Sequence, residues 1–521
     1  MSESKWLYMF TTSGLQRFIF ATQKLKEVIG ASQLIIDLTE DYLDAALRQA
    51  GIPEDSVTTV QRAGGSAILE FSKKRHVETF YQVWPPVVSE VAPGLEFQQW
   101  ASPLTSDNYF DDLQRGWDAL SAGRNIGRPP APEVAPVALR APRTGNAAVD
   151  RLHYSGEDDE EEQLIDAASA RKLEASKHND DAAAGVAPRD IDDDWWGRKW
   201  AVEMGQIADD DSHIALVHAD GNRIGGFLID VADNMTHSGL DAGDIRDFYR
   251  IFSDQLAEAT KRAVIDAMSA MRDSEDDWAE DQIPARPVVI GGDDVTLILP
   301  TDCALDVTEQ FLRAFRDQTA AMLDDLRDDF GDLDVLREPQ YRHFTACAGI
   351  TFQKHKYPLV QAADHTEDLC GFAKRQSAVD DGSTASSLMF HLISDSSSVD
   401  FETRLHHKFV DQQSQMRIHA GPYGVDGDGL TPISILRDIT ALLDVADVAN
   451  NSIREVIDLV HRNRAEAHNA FERAGMVGGD GMDRLQQTLE KARDQRRVDD
   501  EDFDELSFLP DAAILHKMEA S

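Results

Sequence analysis

Two short acidic segments contain the residues whose types and spacing could do chemistry. The run IGGDDVTLIL has two glycines followed by Asp293 and Asp294, between apolar stretches that predict a β-hairpin. The run HIALVHADGN predicts a strand that ends at Asp220. Convergent carboxylates repel one another unless a hard, oxygen-preferring cation such as Mg²⁺ or Mn²⁺ neutralises them. We therefore expect Asp220, Asp293 and Asp294 to be catalytic residues that bind divalent metal.

The hairpin alone is equally typical of solvated acids at an exposed turn, because the chain is rich in Asp. The second acidic segment favours the metal site over that alternative. Two hard cations can hold triphosphate oxygens and activate a ribose hydroxyl. The expected substrate is therefore ATP or another nucleoside triphosphate.

Further residues beside these acids are candidates for binding the triphosphate. Glycine turns offer backbone N–H groups that suit phosphate, although such a turn is a weak signal by itself. Lys374 and Arg375 end a predicted helix, where cations would neutralise phosphate or, equally, favour the helix C-terminus. The predicted substrate-binding residues are Gly221, Asn222, Gly225, Gly291, Gly292, Lys374 and Arg375. His218, His355 and His365 lack metal-binding spacing and are predicted to be packing or surface residues.

The elements around the acids predict a ferredoxin-like α+β unit. Its order is strand, helix, hairpin, helix, strand, helix and strand, from HIALVHA to SLMFHLI. In such a unit the end of the first strand lies beside the hairpin of the next two strands. Asp220 and Asp293 are therefore expected to meet although 73 positions separate them.

An internal repeat predicts a second, degenerate unit at the N-terminus. Laying YMFTTSG over IALVHADG places Ser13 on Asp220, and laying AGGSAILEF over IGGDDVTLI places Ser66 and Ala67 on the paired acids. One copy keeps every carboxylate and the other has none. This asymmetry is typical of a catalytic domain and a structural twin.

The predicted organisation has four parts, and it ends with apolar residues at helical spacing beyond about residue 430. The predicted fold class is α+β, with two ferredoxin-like palm domains and a helical C-terminal domain. The parts are a degenerate first palm (1–122), a Pro/acid-rich insertion or linker, part of it mobile (123–200), a GGDD-bearing catalytic palm (201–400) and the helical domain (401–521).

Composition limits the classes of function. A formal charge of −43 opposes nonspecific attraction to nucleic-acid backbones, so an RNA partner would need a local basic patch or another subunit. The acid-rich composition is typical of salt-adapted proteins. The three cysteines are far apart, which predicts buried thiols and no zinc ribbon or disulfide framework. No membrane span or signal peptide is predicted, so we expect a cytoplasmic protein.

The same motifs carry a resemblance to a known family. The segments FTTSGLQRFIFATQKLKEVIGASQLI, ALVHADGNRIGG, VVIGGDDVTLILP and FTACAGITFQKHKYPLVQAADHTEDLCGFAKR closely resemble the large polymerase/cyclase subunit of type III CRISPR effector complexes. The resemblance implies synthesis of cyclic oligoadenylates from ATP with Mg²⁺ or Mn²⁺, in antiviral defence. It also implies that Asp220, Asp293 and Asp294 bind the metal, and that CRISPR effector subunits and guide or target RNA are partners.

This chain departs from that family in two ways. Larger members open with an HD nuclease domain and carry a cysteine zinc motif between the palms, whereas this sequence starts with the first palm and has three cysteines. DNA cleavage is therefore not predicted. Two alternatives remain open: a mono- or dinucleotide cyclase of the GGDEF type, whose hairpin is also similar, and a noncatalytic scaffold that binds RNA and protein subunits.

Overall fold

The structure is a computed structural model of the whole chain. The residues that it describes are 5–105, 109–124, 137–155, 160–177, 182–195, 197–209, 211–238, 242–272, 278, 281–331, 333–378, 384–394, 410–411, 416–417, 419–425, 430–443, 450–460, 462–495 and 504–519.

The N-terminal part forms a four-stranded antiparallel sheet. Its strands are β1 (Trp6–Ser13), β2 (Val57–Ala63), β3 (Ser66–Phe71) and β4 (Glu96–Pro103). They lie in the order β2-β3-β1-β4, which is the ferredoxin-like arrangement. The helices are α1 (Leu15–Ile19), α2 (Leu25–Asp37), α3 (Leu43–Gln49), α4 (Lys74–Val91) and α5 (Tyr109–Arg124).

An aromatic cluster fills the core between this sheet and α4. Tyr8 and Phe10 share one face of β1 and point towards the helix, whereas Leu7 and Met9 are buried on the opposite face. The Tyr8 ring meets Phe80 edge to face at 5.0 Å, and Phe80 stacks on Trp84 at 5.6 Å. Pairs of this geometry stabilise a core beyond the area that they bury.

The second palm has a six-stranded sheet with the same central order. Its strands are β8 (His213–Gly221), β10 (Arg286–Gly291), β11 (Asp294–Leu299), β12 (Ala346–Lys354), β13 (Ser387–Leu392) and β16 (Tyr423–Gly424). The order β10-β11-β8-β12 repeats the first sheet, and β13 and β16 extend it. The helices are α8 (Ile224–Ser238), α9 (Ala242–Met268), α10 (Ala304–Asp329) and α11 (Leu359–Gln376).

Strand register corrects the residue equivalences that the repeat predicts. In the two hairpins, the closing pairs are Ala63 with Ser66 and Gly291 with Asp294. Ser66 lies opposite Thr11 on β1, whereas Asp294 lies opposite Asp220 on β8. Thr11 and Ser66, not Ser13 and Ala67, therefore occupy the positions of Asp220 and Asp294, and Gly65 occupies that of Asp293. The prediction that the first palm lacks these carboxylates is unchanged.

The segment between the palms contains ordered elements in the part that the structure describes. These are β5 (Ala148–Ser155), β6 (Glu160–Asp166), α6 (Ala167–Ser176), α7 (Pro188–Ile191) and β7 (Lys199–Trp200), which pairs with β9 (Gln282–Ile283). Helix α6 packs on α2, where a side chain on Gly30 would meet the Lys172 carbonyl oxygen. Arg143 and the Ser169 hydroxyl both bond the buried Glu27 carboxylate. This segment is thus fastened to the first palm by buried polar contacts.

The C-terminal part is helical, as predicted. Its helices are α12 (Ile433–Leu443), α13 (Asn450–Val460), α14 (Arg464–Val477), α15 (Asp480–Asp494) and α16 (Phe508–Glu519), and a short ribbon of β14 (Val410–Asp411) and β15 (Met416–Arg417) precedes them. The α+β fold class, with two ferredoxin-like palms and a helical domain, is confirmed.

Two other expectations concern cysteines and membrane spans. Cys303, Cys347 and Cys370 are all buried free thiols, which confirms that prediction. Among the described residues, no helix combines the length and apolarity needed to cross a membrane.

Candidate active site

The acidic segments meet at one end of the second sheet. Asp220, near the end of β8, lies directly opposite Asp294, the first residue of β11. Asp293 occupies the turn between β10 and β11, and its carbonyl oxygen accepts a hydrogen bond from the Gly221 N–H at 3.2 Å. Its carboxylate would lie 2.9 Å from a Cβ on Gly221. Asp220 and the adjacent pair Asp293 and Asp294, which are far apart in sequence, thus lie at the same end of the sheet.

The pKa values of Asp293 and Asp294 are raised. Burial, and then the charge of Asp220, raises the pKa of Asp293 to about 7. Burial, followed by the charges of Asp220 and Glu367, raises the pKa of Asp294 to about 7 as well. The Asp294 Oδ1 atom is buried and accepts no hydrogen bond. Positive charge therefore compensates these two carboxyl groups only in part.

Lys374 supplies part of that charge from the last turn of α11. Its Nζ lies 2.5 Å from Asp220 Oδ2 and donates to the Gly221 carbonyl oxygen at 2.7 Å. Burial lowers the pKa of Lys374. The hydrogen bond to Asp220 and the charge of Asp220 raise this pKa by more than burial lowers it, so the net shift is upward. Arg375, the next residue, lies on the exposed side of the same helix. Lys374 thus contacts Asp220 directly.

A polar group behind the acids was missed by sequence reasoning. His218 was predicted to be a packing or surface residue, and it is buried; its Nδ1, however, lies 3.3 Å from Asp294 Oδ1. The same nitrogen lies 3.3 Å from Thr296 Oγ1. Burial lowers the pKa of His218. Strand alternation could have found both residues, since His218 and Asp220 share one face of β8, and Thr296 and Asp294 share one face of β11.

Gln16 completes this group from the first palm. It lies on α1, and its Nε2 is 3.1 Å from Thr296 Oγ1 and 3.4 Å from His218 Nδ1. No sequence signal pointed to it, because contact between positions 16 and 218 depends on how the two palms pack.

The other predicted substrate-binding residues lie in the turns around the acids. The Asn222 side chain is buried and donates to Thr345 Oγ1 at 3.0 Å. This hydrogen bond connects the turn after β8 to the segment that precedes β12. Gly225 and Gly292 line a cavity beside the acids. Gly291 faces the other hairpin, where a Cβ would lie 3.5 Å from the Gly64 Cα. Thr260 on α9 donates to the Gly292 carbonyl oxygen at 2.5 Å and holds the hairpin.

The cavity has a volume of about 700 Å³ and lies between the two palms. Trp117 and Phe110 contribute from α5, and Tyr249 and Phe252 contribute from α9. Asp293 lies at its wall. A pocket of this size with aromatic walls and an adjacent acid group suits a flat, charged small molecule.

The three acids offer the oxygen ligands of a divalent metal site. In the part of the chain that the structure describes, no three His, Cys, Asp or Glu side chains are arranged to hold a metal ion as they stand. The donor chemistry nevertheless fits Mg²⁺ or Mn²⁺, because both prefer carboxylate oxygen. The unbonded Asp294 Oδ1 and the raised pKa values of Asp293 and Asp294 fit this donor chemistry, because a bound cation would stabilise the ionised carboxylates.

Comparison with known proteins assigns this part of the chain. Residues 213–381 match the family model of Cas10/Cmr2, second palm domain. This segment is Cas10-like. It contains all three acids and Lys374, whereas Gln16 lies outside it, in the first palm.

Three solved structures are similar to the Cas10-like chain over nearly its whole length. They are a Csm1-Csm4 cassette in complex with AMPPNP (TM-score 0.52, 12% identity, 100% of this chain and 70% of that chain), a Csm1-Csm4 cassette in complex with cA3 (0.52, 11%, 99% and 69%) and Csm1 in T. onnurineus (0.51, 11%, 99% and 69%). At this identity the likeness shows a shared fold. No curated protein matches the sequence.

Proposed function

We propose that this Cas10-like chain is a nucleotidyltransferase that converts ATP into cyclic oligoadenylate or a related cyclic nucleotide signal in antiviral defence. The observation that carries the proposal is the convergence of Asp220, Asp293 and Asp294 beside the cavity between the palms. The two raised carboxyl pKa values support it, since titratable groups are perturbed in this way mainly at functional sites.

The proposed reaction joins nucleotides by attack of a ribose 3′-hydroxyl on the α-phosphate of another ATP, with pyrophosphate leaving. Asp220, Asp293 and Asp294 would hold Mg²⁺ or Mn²⁺, which when bound neutralises the triphosphate and activates the hydroxyl. Most of the rate enhancement would come from positioning the two reactants in line. The chain's own contribution is the rigid sheet end that fixes the acids.

The walls of the cavity would hold the nucleobase. Trp117 and Phe110 from the first palm, and Tyr249 and Phe252 from the second, offer aromatic faces, on which bases stack irrespective of sequence. Lys374 would share its charge between Asp220 and the incoming triphosphate, since its Nζ already lies at the sheet end. The degenerate palm would thus serve as half of the binding cleft.

We also propose CRISPR effector subunits and guide or target RNA as partners. The solved relatives are named as Csm1-Csm4 cassettes, in complexes with AMPPNP or cA3. The net charge of −43 means that RNA would be bound mainly through other subunits or a local basic patch.

The test is incubation of the purified chain with radiolabelled ATP and Mg²⁺ or Mn²⁺, at low and high salt. Products are resolved by chromatography and mass spectrometry. Asp293→Ala/Asp294→Ala removes the proposed ligands. Asp324→Ala/Asp325→Ala is the matched control, because it removes two exposed carboxylates of α10.

Cyclic or linear oligoadenylate from the wild type and the control, but not from the site variant, is expected. A cyclic mono- or dinucleotide product would favour the GGDEF-type alternative. ATP binding without any product, also after addition of guide RNA, target RNA and effector subunits encoded beside the gene, would favour the scaffold alternative.

A further inference from the structure

Strand β4 lies at one edge of the first sheet and pairs with β1 over its whole length without a bulge. Just beyond this pairing, the Leu104 N–H donates to the Lys5 carbonyl oxygen at 2.8 Å. Since bonded pairs alternate along an antiparallel ladder, the backbone groups of Trp100 point towards β1, whereas those of Gln99 and Ala101 point away from it. Among the described residues, no strand pairs with this outer edge of β4.

The same edge of the second palm carries a strand. Strand β12 is the counterpart of β4, because Pro103 lies opposite Trp6 on β1 and Phe352 lies opposite Ala215 on β8. Strand β13 pairs in parallel with the outer edge of β12. The Ile393 N–H donates there to the Phe352 carbonyl oxygen at 2.8 Å. A palm of this fold therefore accepts a further strand on this side.

The burial of the two strands differs in the way that this difference in neighbours predicts. Eight of the nine residues of β12 are buried, whereas no residue of β4 is buried and both of its ends are exposed. Tyr81 of α4 is 40% exposed, and its hydroxyl lies 3.5 Å from the Gln99 carbonyl oxygen. The outer edge of β4 thus offers backbone hydrogen bonds beside an exposed aromatic ring, a combination that suits an added strand.

Edge strands usually carry protection against pairing with other chains, such as lysine, proline, a bulge or a covering element. The opposite edge strand β2 has a bulge between Thr59 and Gln61, and α9 packs on it. In β4 the residues between Glu96 and Pro103 are all uncharged, and its one proline stands at its end. The outer edge of β4 therefore has little protection of its own.

We propose that the outer edge of β4 is a docking site for an extended strand of a partner protein, which joins the first sheet in parallel as β13 joins the second. The partner strand carries neutral or basic side chains, because the net charge of −43 repels acidic ones. The same repulsion opposes a second copy of this chain as the occupant. Docking requires neither nucleotide nor metal, so the proposal is independent of the proposed function.

The first experiment measures hydrogen exchange of backbone amides by NMR in the isolated full-length chain. The amides of Gln99 and Ala101 should exchange fast, whereas the amide of Trp100, which faces β1, should exchange slowly. Slow exchange of all three amides would overturn the proposal, because the chain itself or a second copy would then cover the edge. Sedimentation at the same concentration distinguishes these two coverings.

The second experiment measures the binding of synthetic strands to the full-length chain by fluorescence anisotropy. One probe has the sequence of β13 (Ser387–Leu392) and another alternates valine with threonine, each with two lysines at both ends. At least one probe should bind and slow the exchange of the Gln99 and Ala101 amides, because main-chain hydrogen bonds supply affinity in this mode of recognition. Glutamates in place of the lysines should weaken binding, and N-methylation of alternate backbone amides should abolish it.

The matched variants are Ala101→Pro and Ala101→Val. Proline removes the outward N–H of position 101 and leaves the bonds between β4 and β1 in place, whereas valine keeps that N–H. Probe affinity should fall about 10-fold in Ala101→Pro and change by less than about 2-fold in Ala101→Val. Circular dichroism checks that both variants fold, and if Ala101→Pro does not, the exchange of the wild type with and without probe decides.

Three results would contradict the proposal. They are failure of both lysine-flanked probes to bind, equal probe affinities of Ala101→Pro and Ala101→Val, and binding that leaves the exchange of Gln99 and Ala101 unchanged. Equal binding of the glutamate-flanked probes would refute the stated charge of the partner strand.

Discussion

Asp294 combines two features that a carboxyl group rarely has together. Its Oδ1 is buried without a hydrogen bond, and burial together with the charges of Asp220 and Glu367 raises its pKa to about 7. Leaving a buried acceptor unpaired costs about 1–3 kcal/mol, and more for a charged group. A sequence under selection for stability alone would fill this position differently. These two features favour the proposal that Asp294 binds a ligand.

At the residue scale, Gly221 is predicted to tolerate no side chain, because a Cβ at this position would collide with its neighbours. A Cβ at this position would lie 2.6 Å from Ile224 Cδ1 and 2.7 Å from Asp293 Cβ. Gly221→Ala should therefore push Asp293 away from Asp220, lower the stability by about 1–3 kcal/mol and abolish Asp-dependent Mn²⁺ binding. Chemical denaturation and calorimetry measure the two effects.

The control for this prediction is Gly226→Ala, in α8. A Cβ there meets open space, and alanine is favoured over glycine inside a helix by about 0.5–1 kcal/mol. The control variant should be as stable as the wild type or more so. Equal losses of stability and Mn²⁺ binding in Gly221→Ala and Gly226→Ala would show that the close contacts of Gly221 do not cause the effect.

At the scale of elements, α9 holds the hairpin that carries two of the acids. The Thr260 side chain is fully buried, and its hydroxyl contacts the carbonyl oxygens of Leu256, in the same helix, and Gly292, in the turn. Gly292 adopts a positive φ of 63° and offers no side chain, so this contact reaches the turn through its backbone.

Thr260→Val is predicted to loosen the turn without changing side-chain volume. It leaves the Gly292 carbonyl oxygen without this donor, which should cost about 1–3 kcal/mol and weaken nucleotide binding. Thr308→Val is the matched control, because Thr308 is also fully buried in a helix, α10, and its hydroxyl donates to Ala304 within that helix at 2.7 Å. Denaturation and ATP titration of both variants test this. Similar losses of ATP affinity would count against a role for the hairpin contact.

For the whole molecule, the net charge of −43 is the dominant physical feature. Repulsion among so many carboxylates opposes the compact state, and salt screens it over about 10 Å at 0.1 M ionic strength. We expect the melting temperature to rise steadily as KCl increases from about 0.1 M, where screening becomes appreciable. Sucrose of equal osmolality is the control and should give the smaller rise. A melting temperature that falls with KCl would contradict the prediction.

The sequence alone predicted the second palm and the meeting of Asp220 with the GGDD hairpin. Strands and helices such as β12 and α11 follow from local hydrophobic spacing, and the GGDD turn marks its own hairpin. The repeat then predicted a twin palm, which the sheet order confirms. The strands and helices were predictable because each depends on residues that are close together along the chain.

Tertiary structure alone decided the exact equivalences and the partners of the acids. Thr11, not Ser13, lies at the position of Asp220, because strand register is set by cross-strand pairing and a shift of two residues preserves the face. Lys374 contacts Asp220, and Gln16 reaches His218, across 154 and 202 positions of the sequence. No local sequence pattern predicts these contacts. They form only when the elements of the two palms, each predictable by itself, pack against one another.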